Sequence, residues 1–340
     1  MRKLVVACLM CLLSGTVLFA AEWQWSVEVK GCISGETGRP QEAFLWIPPT
    51  CGQVKAVMVG QQNMSEETLF HLPAFREAME RLGIALIWIA PELNQSWDVS
   101  TGVQQVFDTV LADLAEASGY DELASVPIVP IGHSAQATFP WNFAAWNPER
   151  TLAVISLHGD APRTNLTGYG RANLEWGRTR NIDGIPGLMI EGEYEWWEAR
   201  VNPALAFRMM YPASCISFLC DTGRGHFDLA DETAEYIALF IQKAMEYRLD
   251  EASGKLKPVD VRQGWLASRW NSEEGKRPAP APYPAYQGDP HDAFWYFDEE
   301  MATLTEARYR KHRGKRMQYI GISQAGKLLE YDSKAHVRVS

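Results

Sequence analysis

Val126-Pro-Ile-Val-Pro-Ile-Gly-His-Ser-Ala-Gln-Ala137 reads as a short buried strand that runs into a Gly-x-Ser turn and opens a helix. A serine hydroxyl is a weak nucleophile at neutral pH. It gains reactivity on a sharp turn that exposes its oxygen to a histidine base and sets it beside backbone N–H donors. Ser134 has that context. The pattern departs from the common form at Gln136, where Gly or Ala is usual, so the base, the acid and the scaffold must come from the rest of the chain.

Working outward, apolar strand-like runs alternate with segments of helical spacing. Trp23 to Ile33 and Ala43 to Ile47 alternate like antiparallel strands, and Val54 to Gly60 and Ile84 to Ala90 are continuous apolar runs. Leu152 to His158, Gly187 to Glu191 and Cys215 to Cys220 are further strands. Helical periodicity covers Glu66 to Leu82, Val99 to Ser118, the stretch from Ser134 to about Trp146, Glu198 to Met210 and Asp231 to Tyr247. Buried strands alternating with helices predict an α/β fold with a mostly parallel central sheet covered by helices on both faces. Residues 251–340 change character, with a linker-like stretch and a Pro/Ala-rich stretch. They form a C-terminal extension or a small accessory domain, in which Asp292 to Glu300 leads into a helix and Met317 to Ser323 is a candidate strand.

By order of elements, residues 23–249 resemble the α/β-hydrolase superfamily of serine esterases. In that fold the nucleophile follows the fifth strand, the acid the seventh and the histidine the eighth. The resemblance therefore implies Ser134 as nucleophile, His226 in Gly225-His226-Phe227 as general base and acid, and an acid in Gly192-Glu-Tyr-Glu195. Family spacing favours Glu195, with Glu193 and Asp160 as alternatives. The oxyanion hole would combine the N–H of Ala135 with one from the turn after the third strand, at Gln61 or Gln62. Neither the spacing of cysteines nor that of histidines suggests a metal, and the chemistry calls for no cofactor.

Residues 1–21 carry Arg2 and Lys3, an apolar run from Leu4 to Leu13 and small Ala20-Ala21, the pattern of a secretory signal peptide. The expected mature protein, residues 22–340, is exported to the periplasm or secreted, without stable membrane insertion. Formal net charge is -10 for the whole chain, which argues against nucleic acid as partner. Cys32 and Cys51 flank an N-terminal hairpin, and their pairing would staple it. Cys215 and Cys220 point to opposite faces of one strand and read as buried thiols.

Tryptophans cluster in the segments around the presumed mouth. Trp97, Trp141 and Trp196 are candidate platforms for a sugar ring, and Arg224, two residues before His226, is a candidate partner for a substrate carboxylate or carbonyl. With the export signal, this mouth resembles the carbohydrate esterases that bacteria secrete. Phe139-Pro-Trp-Asn-Phe and Glu-Tyr-Glu-Trp-Trp resemble pectin methylesterases on an α/β-hydrolase core. The resemblance implies polysaccharide as partner and a galacturonate methyl ester as substrate. Sugar acetyl or feruloyl ester cleavage by the same triad remains open, as does non-catalytic carbohydrate binding on a hydrolase fold.

Overall fold

The fully buried strand that ends at Gln61 shows how the sheet is made: its alternate residues feed two separate apolar cores. In the computed structural model, which describes residues 22–33, 38–163, 174–195, 197–250, 252–271, 277–311, 314, 322–324 and 327–329, the strands in chain order are β1 (Trp25–Ile33), β2 (Pro40–Trp46), β3 (Ala56–Gln61), β4 (Ile84–Ala90), β5 (Ile128–His133), β6 (Val154–Leu157), β7 (Pro186–Gly192) and β8 (Cys215–Asp221). They form one sheet in the order β1-β2-β4-β3-β5-β6-β7-β8. The pairs β1–β2 and β2–β4 are antiparallel and every later pair is parallel. This is the strand order of the α/β-hydrolase fold, as the alternation of elements predicted.

Because side chains alternate across a strand, Ala56 and Met58 join one core while Val57 and Val59 join the other. Helices α1 (Glu66–His71), α2 (Pro73–Leu82), α5 (Trp197–Met210) and α6 (Asp231–Arg248) supply the first core, for example through Phe75, Phe207 and Ile237. Helix α3 (Val103–Ser118) supplies the second through Phe107, Val110 and Leu114. Helix α4 (Phe139–Trp146) lies between them, giving Trp141 to one and Phe143 to the other. Both faces of the parallel part are thereby covered, so its strands read as continuous apolar runs.

Several boundaries differ from the sequence reading. The single helix expected over 66–82 is two, because Leu72 is extended at φ -63°, ψ 123°, the conformation forced on a residue that precedes proline. Helix α3 starts after Gly102, whose φ of 81° ends a 3₁₀ turn at Val99–Thr101. Asp292 to Glu300 leads into a helix as expected, with a short strand in between: β11 (Ala293–Tyr296) precedes α7 (Glu299–Tyr309), whose first turn is capped by the Asp298 carboxylate accepting from Met301 N at 3.0 Å.

The described residues of the extension up to Tyr309 pack on the main sheet. Strands β9 (Trp265–Ser268), β10 (Ala281–Pro282) and β11 form a small antiparallel sheet whose Leu266, Phe294 and Trp295 belong to the same apolar core as β7 and β8. β8 is the last strand of the large sheet, an edge that needs cover. The Phe218 carbonyl accepts from the Tyr296 hydroxyl at 2.7 Å and from the Tyr309 hydroxyl at 2.8 Å, and Ser217 Oγ donates to the Trp295 carbonyl. A short hairpin of β12 (Ile322–Gln324) and β13 (Lys327–Leu329) follows; the strand expected from Met317 falls mostly outside the described residues.

Cys215 and Cys220 are buried free thiols as expected, and burial pushes Cys215 up to about 12. Cys51 is a free thiol whose Sγ donates to the Gln53 carbonyl at 3.1 Å, while the Cys32 side chain, the other half of the expected pair, lies outside the described residues. The expected signal segment, residues 1–21, also lies outside them, and among the described residues no helix is long and apolar enough to cross a membrane.

Candidate active site

The strand β5 delivers Ser134 onto a turn rather than into a helix. Ser134 has φ 52°, a left-handed conformation uncommon for a residue with a side chain, and a 3₁₀ turn over Ser134–Gln136 separates it from α4. This strained turn lifts the hydroxyl clear of the sheet edge. It closes tightly because of two glycines, one in β5 and one in the bend after β6. A Cβ on Gly132 would stand 2.0 Å from the Gln136 carbonyl oxygen, and one on Gly159 would stand 1.9 Å from Ala137 Cβ.

Three loops meet there. The loop after β8 brings His226, whose Nε2 lies 2.8 Å from Ser134 Oγ. The turn after β7 brings Glu195, whose Oε1 accepts from His226 Nδ1 in a short bond. Of the three acids weighed from the sequence, Glu195 is the one on this histidine. Its other oxygen, Oε2, accepts from the Gly192 N–H at 2.7 Å and from His158 Nδ1 at 2.7 Å. Glu193 faces away, accepting from the N–H groups of Gly223 at 2.7 Å and Gly314 at 2.6 Å, so it ties the extension to the His226 loop. Asp160 is buried, and its carbonyl accepts from Trp141 Nε1 at 2.9 Å.

The electrostatics suit a base-activated serine. Burial would push the Glu195 carboxyl up, but hydrogen bonds from His158, His226 and the Gly192 N–H outweigh it and hold the group well below the usual carboxylate range. Arg200 Nη1 stands 3.9 Å from Glu195 and 2.6 Å from buried Glu191. An ionised carboxylate on Nδ1 fixes the His226 tautomer with its bare Nε2 toward the serine, and stabilises the imidazolium that forms when the serine proton moves.

His133 holds the elbow to its surroundings, a role the sequence reading did not assign. Its N–H donates to Glu66 Oε1 at 2.6 Å, its carbonyl accepts from Asn63 Nδ2 at 2.5 Å, and its ring Nε2 donates to the His226 carbonyl at 2.9 Å. Burial depresses this imidazole to about 4, so the ring is neutral. Side-chain bonds to main chain follow no period in sequence. The one available signal was the clustering of Asn63, Glu66 and His133 at adjacent strand ends.

The oxyanion assignment changes in part. Ala135 is the second residue of the 3₁₀ turn that Ser134 opens, where leading N–H groups have no partner within the turn. Gln62 is not free for this work, because its N–H donates to the Ile89 carbonyl at 2.8 Å. Gln61 ends β3, and its buried side chain binds the loop after β4, accepting from Leu93 N at 2.7 Å and Asn94 N at 3.0 Å. Gln136 is buried, and its Oε1 has no partner among the described residues.

The aromatic platform does not survive as read. Trp97 is 1% exposed, enclosed by Phe107, Phe139 and Phe143, and serves the second core. Trp141 is equally buried, packed on Gly187, where a Cβ would stand 2.4 Å from the indole. Both are corrected from ligand-facing to core, since large apolar rings gain most from complete burial. Trp196 lies outside the described residues. Arg224 is partly exposed beside the His226 loop, with Nη2 3.4 Å from Glu232. Large apolar side chains that are exposed near the site are Met64 at 67%, after β3, Tyr194 at 38%, beside Glu195, and Phe227 at 64%, beside His226. The Phe227 ring stands edge-on to His226 at 4.6 Å between centroids.

No protein-family model matches this sequence, and no curated protein matches it. Among solved structures, it is similar to the BES protein from Bacillus cereus, at 11% identity and a TM-score of 0.47, over 66% of this chain and 96% of that one. It is similar also to Est1E from Butyrivibrio proteoclasticus, at 16% identity and a TM-score of 0.42, over 66% and 100% of the two chains. The fluorophosphonate-binding serine hydrolase FphF of Staphylococcus aureus gives 12% and 0.42, over 65% and 97%. Likeness at this level carries no argument about activity. The α/β-hydrolase fold of this chain rests on its strand order, and the chemistry of the site on the contacts of Ser134, His226 and Glu195.

Proposed function

We propose that this chain is a serine carboxylic-ester hydrolase that works through an acyl-enzyme on Ser134. The observation that carries the reading is the continuous line from Ser134 Oγ to His226 Nε2 at 2.8 Å, and from His226 Nδ1 to Glu195. His226 takes the hydroxyl proton as Ser134 attacks the ester carbonyl. The tetrahedral oxyanion meets the Ala135 N–H, and His226 returns the proton to the departing alcohol. Water, deprotonated by the same imidazole, then releases the acid from Ser134.

The substrate reading is an ester of plant polysaccharide, with a galacturonate methyl ester of pectin first, so that methanol leaves and the acyl group on Ser134 is the uronate. Its supports are the sequence resemblance, the signal-like leader that would export the protein, and Arg224, partly exposed two residues from His226. With Trp97 and Trp141 in the core, that support is narrower than the sequence alone suggested. Exposed Met64, Tyr194 and Phe227 favour a second reading, an ester of an aromatic acid such as a feruloyl group on the polysaccharide. Methanol, acetate and ferulate release from pectic and feruloylated polysaccharides, by the wild type beside Ser134→Ala, tests both. Methanol lost in the variant supports the first reading and ferulate the second. No product from any ester would return carbohydrate binding without catalysis.

A further inference from the structure

His158 stands at the end of β6 in an unusual backbone state. Its φ is 52°, and the glycine after it packs against the elbow so closely that a Cβ there would overlap Ala137. The turn is shaped to bring residue 158 under the triad. Its ring is 1% exposed, Nδ1 lies 2.7 Å from Glu195 Oε2, and Nε2 is buried with no partner among the described residues. Since Glu195 is an ionised acceptor, Nδ1 carries the proton.

Resting on the esterase reading, we infer that His158 is a positioning residue of the triad: it donates to the carboxylate oxygen that His226 does not use, holding Glu195 in the plane that meets His226 and sharing its negative charge. A carboxylate with one histidine on each oxygen cannot rotate about its terminal bond without breaking a hydrogen bond. The shared charge also tempers how strongly Glu195 stabilises protonated His226. The other titratable groups facing this trio are His133 from β5, whose ring centroid is 5.5 Å from His158 and 5.0 Å from His226, Glu191 from β7 and Arg200 from α5. Asp228, on the His226 loop, is occupied by the Gly225 N–H at 2.7 Å. Oε2 also accepts from the Gly192 N–H at 2.7 Å, so removing His158 leaves that oxygen its main-chain donor and takes away the side chain that holds it opposite His226.

Two variants and one spectrum test the inference. His158→Leu removes the donor, while His158→Asn keeps an N–H near the place of Nδ1 and suits the left-handed backbone. With the Leu variant, kcat is expected to fall about 10- to 100-fold with KM within roughly twofold, since no substrate contact is lost. The acid limb of kcat/KM should move up by roughly one pH unit, because Glu195 then places its full charge on His226. The Asn variant should recover most of kcat and the wild-type limb. Independently of turnover, a proton NMR spectrum of the full chain should hold two far-downfield imidazole N–H signals. Ser134→Ala should keep both, and His158→Asn should lose one. A single signal in the wild type, an unmoved acid limb in the Leu variant, or an Asn variant as impaired as Leu would overturn the inference. Loss of turnover in every protein with both signals present would sink the esterase reading and leave the His158 contact standing.

Discussion

Gly132 and Gln136 face each other across the elbow so closely that a Cβ on the glycine would stand 2.0 Å from the glutamine's carbonyl oxygen and 2.5 Å from its carbonyl carbon. Both obstructing atoms are backbone, so no rotamer change relieves the clash. Gly132→Ala must therefore open the turn that sets Ser134. Activity should drop by about 10²-fold or more, with a stability loss of about 1–3 kcal/mol from overpacking. Steady-state kinetics and urea unfolding of the variant check this, and near-wild-type kcat would mean that the elbow is not built as described.

Glu195→Gln should separate the true acid from its neighbours. An amide cannot carry the charge that steadies the imidazolium and can present a donor to His226, so kcat should fall by about 10³- to 10⁴-fold. Glu193→Gln weakens the Gly223 and Gly314 contacts, away from Ser134 Oγ and His226 Nε2, and should cost stability while keeping kcat within about tenfold. Comparable loss of kcat in both variants would remove Glu195 from its assigned place.

Trp97 tests the correction from platform to core. Enclosed by three phenylalanines, Trp97→Ala should destabilise by about 3–5 kcal/mol. Trp97→Phe should leave KM for any cleaved ester unchanged. A raised KM with unaltered thermal stability would restore the tryptophan to the binding surface.

Glu66 gives a pH signature. Burial raises its carboxyl from the ordinary 4.5 to about 7, so the folded chain holds this proton more tightly than the unfolded one. Between those values the unfolded state loses the proton first, and the contribution of Glu66 to stability falls as pH rises. Glu66→Gln should thus gain on the wild type by up to about 3 kcal/mol between pH 4 and pH 8. Comparing the two proteins at each pH isolates Glu66, because His133, which burial depresses to about 4, is common to both. A difference independent of pH would refute the assignment.

The fold and the triad were legible for one reason: both depend on order along the chain. Strands that alternate with helices dictate a parallel sheet, and that sheet brings the ends of β5, β7 and β8 to one edge, where Ser134, Glu195 and His226 meet. Burial of individual rings was not legible. A tryptophan on α4 or after β4 belongs to the cleft or the core according to a rotation of the element that local spacing does not set, and Trp97 and Trp141 went inward. The cover on β8 was missed because β9 and β11 are four residues each and pair across a Pro/Ala-rich stretch. The break at Leu72 could have been read from Pro73, since a residue before proline avoids the helical region. The His133 contacts had no periodic trace, arising only when strand ends converge.

The central claim, that Ser134 is a nucleophile activated by His226, is tested most directly by labelling with a fluorophosphonate and locating the adduct by peptide mass spectrometry. Such a reagent captures a serine whose proton a neighbouring base can take. The account predicts one phosphonyl group per chain, on Ser134, with labelling slowed by several orders of magnitude in His226→Ala. An adduct on another residue, no adduct at all, or labelling of Ser134 that is indifferent to His226 would contradict it.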